Sequence, residues 1–216
     1  AGFDTSGVAS SMNDAGSPLR QATAIASGAA YWWLDDDDTR SDNYAAELAA
    51  MTQSPEDVTA VMLYGGTNDA NPASGITKAG YKADLELFWT FLKEDFPNAK
   101  KCFVVQNARS MSASASDVNW QIVKEAKMEF VAEHADVEFA AELYDQDIAA
   151  SPDNVHFAQS AWEGEIARRQ AAVISKAYGK GSIGARGPQV TAAQIDTDSV
   201  LFTLSHDRGN DLTVPN

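Results

Sequence analysis

The sequence predicts an α/β protein, a three-layer α/β/α sandwich around a parallel sheet, followed by a short C-terminal β extension. Three observations support this prediction. Apolar runs typical of buried strands begin at residues 58, 102 and 137. Helical patterns separate these runs, and such alternation favours right-handed crossovers between parallel strands. With 216 residues and a hydrophobic content of 44%, the chain can bury one substantial core.

The first third of the chain predicts a loop, a helix and a strand, in that order. Residues 1–30 are rich in Gly, Ala and Ser and indicate a loop followed by a short helix or turn. Asp42 and Asn43 precede a helical stretch over residues 44–51 and can cap it. Residues 58–64 are almost all apolar and are followed by two glycines. This pattern predicts a central parallel strand that is buried on both faces.

The middle of the chain continues the alternation of helices and strands. Apolar residues recur at helical spacing between Tyr81 and Leu92, and the helix should end near Pro97, which cannot continue it. Residues 102–108 predict the second core strand. Cys102 in this strand is the single cysteine, so it forms no internal disulfide, and we interpret it as packing.

A further helix, a third strand and a final helix complete the main domain. Asp117 can cap a helix, residues 137–143 predict the strand, and residues 158–178 predict the last helix. The helix after Asp117 has apolar positions at Val118, Ile122, Met128 and Val131.

The composition changes at residues 179–188, where four glycines and a proline indicate a linker. We therefore divide the chain into a main domain over residues 1–178, this linker, and a β extension over residues 189–216. The extension contains two predicted strands, over residues 189–195 and 200–206. Two strands alone are marginally stable, so they must pack on the main domain or belong to a larger β module.

The charge of the chain excludes one class of partner. With 31 acidic and 16 basic residues, the formal net charge is -15, which repels nucleic acid phosphates. No membrane partner is expected either, because no stretch approaches the roughly 18 apolar residues that span a bilayer. Four consecutive aspartates, residues 35–38, could attract a divalent cation, but a solvated face is the interpretation that we favour.

Aromatic residues and histidines add two minor expectations. Residues 31–33 are Tyr-Trp-Trp, a group that could stack on a sugar, although a place in the core is the interpretation that we favour. His134 and His206 have no ligand-like spacing to another His or Cys, so no structural metal is expected.

A first polar motif follows the strand over residues 58–64. Gly66 lets the backbone turn sharply and approach a substrate closely, and Asn68 could aim its side-chain amide at a developing oxyanion. The alternative is an ordinary turn between a strand and a helix, where Gly and Asn are common.

A second polar motif precedes the last helix. Asp153 and His156 could bring a carboxylate and an imidazole into one pocket, as a Ser-His-Asp hydrolase requires. The alternative is that Asp153, after Ser151 and Pro152, caps the helix and leaves His156 at the surface.

Together these motifs resemble those of the SGNH (GDSL-type) hydrolases, which have a flavodoxin-like fold, and especially the sialate O-acetylesterase-like carbohydrate esterases. The family's Gly-x-Asn-Asp block is matched by residues 66–69, and its late Asp-x-x-His block by residues 153–156. Its early oxyanion-hole glycine is matched less specifically by Gly16. The linker and the strands after it are similar to a β extension of the sialate esterase-like branch. The resemblance covers about residues 14–206.

The resemblance implies an esterase that hydrolyses acetyl groups on carbohydrate, so the expected partner is a small-molecule or glycan ester. His156 would be the general base, and Asp153 would orient it. The Asn68 side chain and the Gly16 backbone N–H would stabilise the oxyanion. Gly66 would contact the substrate, and no metal or organic cofactor is implied. Arg109 follows the second strand and could hold an anionic substrate group, or could pair with a surface carboxylate.

The nucleophile departs from the family pattern, because the chain contains neither Gly-Asp-Ser nor Gly-Gln-Ser. Ser6 is the nearest candidate. Thr5 lies between Asp4 and Ser6, whereas in the family pattern the Asp directly precedes the Ser, and no apolar strand precedes Ser6. The chain could be a fragment whose first strand and serine come from another chain or segment. It could instead use Ser6 in a rearranged site.

A third explanation is a degenerate fold that serves as a non-catalytic binding or structural module of a virion or cell-surface assembly. The fragment is the favoured explanation, because a sheet without its first strand would expose an unpaired edge. An extracellular, periplasmic or virion-associated location is expected.

Overall fold

A computed structural model describes residues 17–107, 117–142, 164, 166–180, 189–195 and 200–205. It confirms the predicted α/β class, because three parallel strands alternate with helices. The chain divides into two compact units, Ala1–Ala158 and Gln159–Asn216. Predictions that fall on residues 143–163, 181–188 and 196–199 lie outside the described residues.

The first unit holds four helices and three strands among its described residues. They are α1 (Gln21–Ser27), α2 (Asp42–Ala50), β1 (Ala60–Leu63), α3 (Lys78–Asp95), β2 (Lys101–Gln106), α4 (Asp117–Glu133) and β3 (Val137–Glu142), with single 3-10 turns at Pro55–Asp57 and Pro72–Ser74. Their order follows the predicted order. α3 ends two residues before Pro97, as expected from a residue that cannot continue a helix.

The sheet of the first unit is parallel, with the strand order β1-β2-β3. β2 is buried from Cys102 to Gln106, and within the described residues it is the central strand. β1 lies at an edge of this described sheet, and Met62 is 43% exposed. The prediction that residues 58–64 are buried on both faces is therefore wrong, whereas their place as a central strand stays a prediction. An apolar run indicates which residues tolerate burial, but it does not specify which strands pair.

The core lies between the sheet and the helices α3 and α4. Its main side chains from α3 are Leu85, Phe88, Trp89 and Leu92, and those from α4 are Trp120, Val123, Ala126 and Phe130. The predicted apolar face of α4 is partly wrong, because Val118 is 69% exposed and Met128 is 57% exposed. Val118 is two residues from the buried Trp120, and Met128 is two residues from the buried Phe130. Because one residue turns the helix by about 100°, each exposed residue lies about 200° around the helix from its buried neighbour.

Two details of the N-terminal region differ from the prediction. Ser41, rather than Asp42 or Asn43, caps α2, because its Oγ accepts a hydrogen bond from the Tyr44 N–H at 3.1 Å. The aromatic residues 31–33 do not all lie in the core, because Trp33 is buried there whereas Tyr31 is exposed to solvent.

The aspartates at residues 35–38 form a loop whose side chains accept hydrogen bonds locally. Asp35 accepts from the Trp32 indole at 2.7 Å, and Asp37 accepts from the Thr39 hydroxyl at 2.6 Å. Among the described residues, no group of three or more His, Cys, Asp or Glu side chains is arranged to hold a metal ion. No helix in the same described part has the length and hydropathy to cross a membrane.

The second unit contains one described helix of eleven residues and a two-stranded sheet. These are α5 (Ala167–Ala177), β4 (Gln189–Ile195) and β5 (Val200–Ser205). β4 and β5 pair antiparallel, which confirms both predicted strands, with a register shift between Val190 and Ala192.

Candidate active site

The candidate site lies at the carboxyl ends of β1 and β2. In parallel α/β sheets, ligands bind beyond these strand ends. Residues 65–70, here called the Asn68 loop, follow β1, and Asn107 follows β2. The Asn107 amide donates a hydrogen bond to Thr67 Oγ1 at 3.4 Å. Residues from the ends of the two strands therefore meet at the loop.

Gly66 determines the path of the Asn68 loop. Its φ is +97°, a conformation that side chains rarely adopt. A Cβ at this position would lie 2.7 Å from Val123 Cγ1 and 2.8 Å from the Tyr81 hydroxyl oxygen. The loop thus packs on α3 and α4 so closely that only glycine fits.

A hydrogen-bonded turn follows Gly66 and carries Asn68. The Ala70 N–H donates to the Gly66 carbonyl at 3.2 Å, and the Asn71 N–H donates to the Asn68 carbonyl at 3.1 Å. Asp69 and Ala70 are buried, whereas Asn68 is only half-buried. Asn68, like Thr67, therefore has a polar side chain that is partly accessible from outside.

Lys127, a fully buried residue on α4, lies beneath the loop. Its Nζ donates to the Gly65 carbonyl at 2.7 Å, to the Val105 carbonyl at 3.0 Å, and to the Asn107 side-chain oxygen. Three acceptors match the three N–H groups of an ammonium. Burial lowers the pKa of Lys127 below its ordinary value, and the nearby Asp69 opposes this change.

Asp69 joins the loop to the segment before α1. Its Oδ1 accepts from the Leu19 N–H at 3.0 Å, while Oδ2 has no hydrogen-bond partner among the described residues. Burial raises the pKa of Asp69 to about 7, and the Leu19 hydrogen bond and the charge of Lys127 only partly oppose this. Burial, with the charges of Asp69 and Asp84, also holds the pKa of the Tyr81 phenol well above its ordinary value, so Tyr81 stays neutral.

The described residues include two of the predicted site residues, Gly66 and Asn68, and both lie at the carboxyl edge of the sheet. The other predicted site residues, Ser6, Gly16, Arg109, Asp153 and His156, lie outside the described residues. Their roles stay predictions.

The structure adds three residues that the sequence analysis did not select, Asp69, Asn107 and Lys127. A signal for Lys127 was present, because it is four residues after Val123 and three before Phe130, on the apolar stripe of α4. Asn107 gave a weaker signal as a polar residue directly after a buried strand. Asp69 belongs to the Gly-x-Asn-Asp block itself.

The comparisons with known proteins bear on the fold. No protein-family model and no curated protein matches the chain. Among solved structures, the chain is similar to the crystal structure of XAC1771, a carbohydrate acetylesterase from Xanthomonas citri, with a TM-score of 0.58 and 16% identity. The match covers 86% of this chain and 41% of that protein, so this chain spans less than half the length of its structural neighbour. At this identity the similarity concerns the fold alone.

Proposed function

We propose that this protein is a carboxylic ester hydrolase of SGNH type that removes acetyl groups from carbohydrate. One observation carries the proposal: the half-buried Asn68 is presented at the carboxyl edge of the sheet by a turn that only Gly66 allows. Similarity in fold to a carbohydrate acetylesterase supports it. Preorganised donors of this kind stabilise a developing oxyanion without reorganising during the reaction.

The proposed reaction is acyl transfer in two steps. A serine hydroxyl loses its proton to His156, oriented by Asp153, as the oxygen attacks the acetyl carbonyl. The Asn68 amide and the Gly16 N–H donate hydrogen bonds to the resulting oxyanion. The sugar hydroxyl leaves with the proton from His156, and water then hydrolyses the acetyl-enzyme by the same sequence. The substrate lies against Gly66, and Arg109 is proposed to contact an anionic group on it.

The test compares hydrolysis of p-nitrophenyl acetate and of an O-acetylated oligosaccharide by the wild type and three variants. We expect Asn68→Ala to lower kcat roughly 10²–10³-fold, as for other oxyanion donors. His156→Ala should lower kcat at least as much, because no base then takes the serine proton. Asn98→Ala is the control, since Asn98 donates to the Glu56 carbonyl, outside the Asn68 loop. Equal rates in all four proteins would contradict the proposal.

The nucleophile is tested separately with a fluorophosphonate probe, which labels activated serines. Ser6 is the candidate within this chain. Labelling that disappears in Ser6→Ala would identify it as the nucleophile. Labelling that persists would place the nucleophile elsewhere, and a wild type that is neither labelled nor active would favour a non-catalytic binding or structural module.

A further inference from the structure

Lys127 has no part in the proposed reaction, yet it joins the Asn68 loop to the end of β2. Its acceptors are the Gly65 carbonyl in the loop, the Val105 carbonyl in β2 and the Asn107 side chain after β2. One buried ammonium group therefore joins the ends of two neighbouring strands at the point where the candidate site lies.

Packing alone does not require a lysine here. Val123, Ala126 and Phe130 lie on the same buried stripe of α4, where apolar side chains are usual. Burying an ammonium group is costly unless hydrogen bonds satisfy it, and three oxygen acceptors do so here. The lysine fixes the positions of the Gly65 carbonyl, the Val105 carbonyl and the Asn107 side-chain oxygen relative to one another.

We propose that Lys127 is a positioning residue for the side-chain amide of Asn68, an inference that rests on the function proposed above. Lys127 holds the Gly65 carbonyl at 2.7 Å, directly before Gly66, where an added Cβ would lie 2.7 Å from Val123 Cγ1 on α4. It also holds Asn107, whose amide donates to Thr67 Oγ1 at 3.4 Å. Of the three residues before Asn68, Gly65 is therefore bound to Lys127 directly, and Thr67 is connected to it through Asn107.

The test is a double-mutant cycle on acetyl ester hydrolysis with Lys127→Met, Asn68→Ala and the double variant. We expect Lys127→Met to lower kcat roughly 10–100-fold and to leave KM within about twofold, since the misplaced donor acts in the transition state. In the Asn68→Ala background the same change should lower kcat by less than about threefold. Equal losses in both backgrounds would show a purely structural role and overturn the proposal. Lys124→Met, three residues earlier on α4, is the control and should leave kcat unchanged.

A second measurement decides the proposal without relying on activity. Asn107→Ala removes one acceptor of Lys127 and the hydrogen bond to Thr67 Oγ1, while the sequence of α4 is unchanged. In this variant and in Lys127→Met, hydrogen exchange at the Ala70 and Asn71 amides should accelerate at least about tenfold relative to core amides of α3. Unchanged exchange in both variants would overturn the proposal even without measurable hydrolysis. Hydrogen exchange does not depend on activity, so it tests the role of Lys127 by itself. A wild type without hydrolysis would contradict the proposed function instead.

Discussion

At the scale of single residues, Gly66 meets two constraints at once, one on its backbone and one on the space around it. Its φ is +97°, and an added Cβ would lie 2.7 Å from Val123 Cγ1. Gly66→Ala should therefore lower the free energy of unfolding by about 3 kcal/mol, as the sum of backbone strain and overpacking. Urea unfolding followed by tryptophan fluorescence measures this loss.

Two other glycines separate these contributions. Gly75 has a φ of +61° and open space around it, so Gly75→Ala isolates the backbone cost, about 1 kcal/mol. Gly65 has neither a positive φ nor a close neighbour, and Gly65→Ala should change stability by less than about 1 kcal/mol. Similar losses at Gly66 and Gly75 would show that the loop moves away from Val123 at little cost.

Asp69 predicts a pH dependence of stability with a definite sign. Burial raises its pKa to about 7 in the folded protein, from 3.8 in an unfolded chain. Between about pH 4 and pH 7 the folded state therefore binds more protons than the unfolded state, and this contribution to stability falls as the pH rises. Relative to Asp69→Asn, the free energy of unfolding of the wild type should fall by on the order of 1 kcal/mol per pH unit between about pH 4 and pH 7. Above about pH 8 it should fall no further.

A carboxylate with the opposite shift is the control for this prediction. The hydrogen bond from Lys82 lowers the pKa of Glu86. Relative to Glu86→Gln, the free energy of unfolding of the wild type should therefore rise with pH through the acidic range, with a smaller slope because the Glu86 side chain is 38% exposed. A flat profile for Asp69→Asn against wild type would mean that Asp69 is ionised at pH 4 in the folded protein.

At the scale of elements, α4 shows what periodicity can and cannot predict. The spacing of apolar residues predicted the helix, but it placed the exposed Val118 and Met128 on the buried face. It passed over Lys127, because a charged residue is normally assigned to solvent. Three oxygen acceptors satisfy this lysine, and they come from segments 20 to 62 residues away in sequence. A local pattern contains no information about partners at that separation.

The start of α2 carries a prediction about an element boundary. Ser41 is buried, accepts from the Tyr44 N–H at 3.1 Å and donates to the Trp32 carbonyl at 2.6 Å. Ser41→Ala leaves both groups without this partner and should cost about 2 kcal/mol in unfolding free energy. Thr77 is the matched control, because it caps α3 at an exposed position through the Gly80 N–H. Thr77→Ala should cost about 1 kcal/mol, and a cost equal to that of Ser41→Ala would contradict the role of burial.

At the scale of the whole molecule, the order of elements was predictable and the pairing of strands was not. Residues 58–64 and 102–108 gave similar apolar runs, yet in the described sheet the second run forms the central strand. For the candidate site, the Gly-x-Asn-Asp block located Gly66 and Asn68. It did not reveal that Asn107 meets the same loop, because that contact depends on which strands are neighbours.

The excess of acidic residues shapes the surface of the first unit. Within the part of this unit that the structure describes, four basic side chains each contact two carboxylates: Arg20 with Asp38 and Asp84, Arg40 with Glu94 and Asp95, Lys78 with Glu125 and Glu129, and Lys82 with Glu86 and Glu133. Sharing cations in this way relieves repulsion locally. It does not change the net charge of -15, whose repulsion acts over longer distances.

Salt should therefore stabilise this protein. The Debye length falls from about 30 Å at 0.01 M to about 10 Å at 0.1 M ionic strength, so repulsion between distant carboxylates weakens most in that interval. Exposed ion pairs are also screened, but such pairs contribute little to stability individually. We expect Tm to rise with NaCl, more steeply below 0.1 M than above it, as measured by differential scanning calorimetry. A fall in Tm would show that the ion pairs outweigh the net repulsion.

CaCl₂ at equal ionic strength should raise Tm by a similar amount. A larger, saturable rise in Tm would indicate cation binding, for which the aspartates at residues 35–38 would be the first candidates.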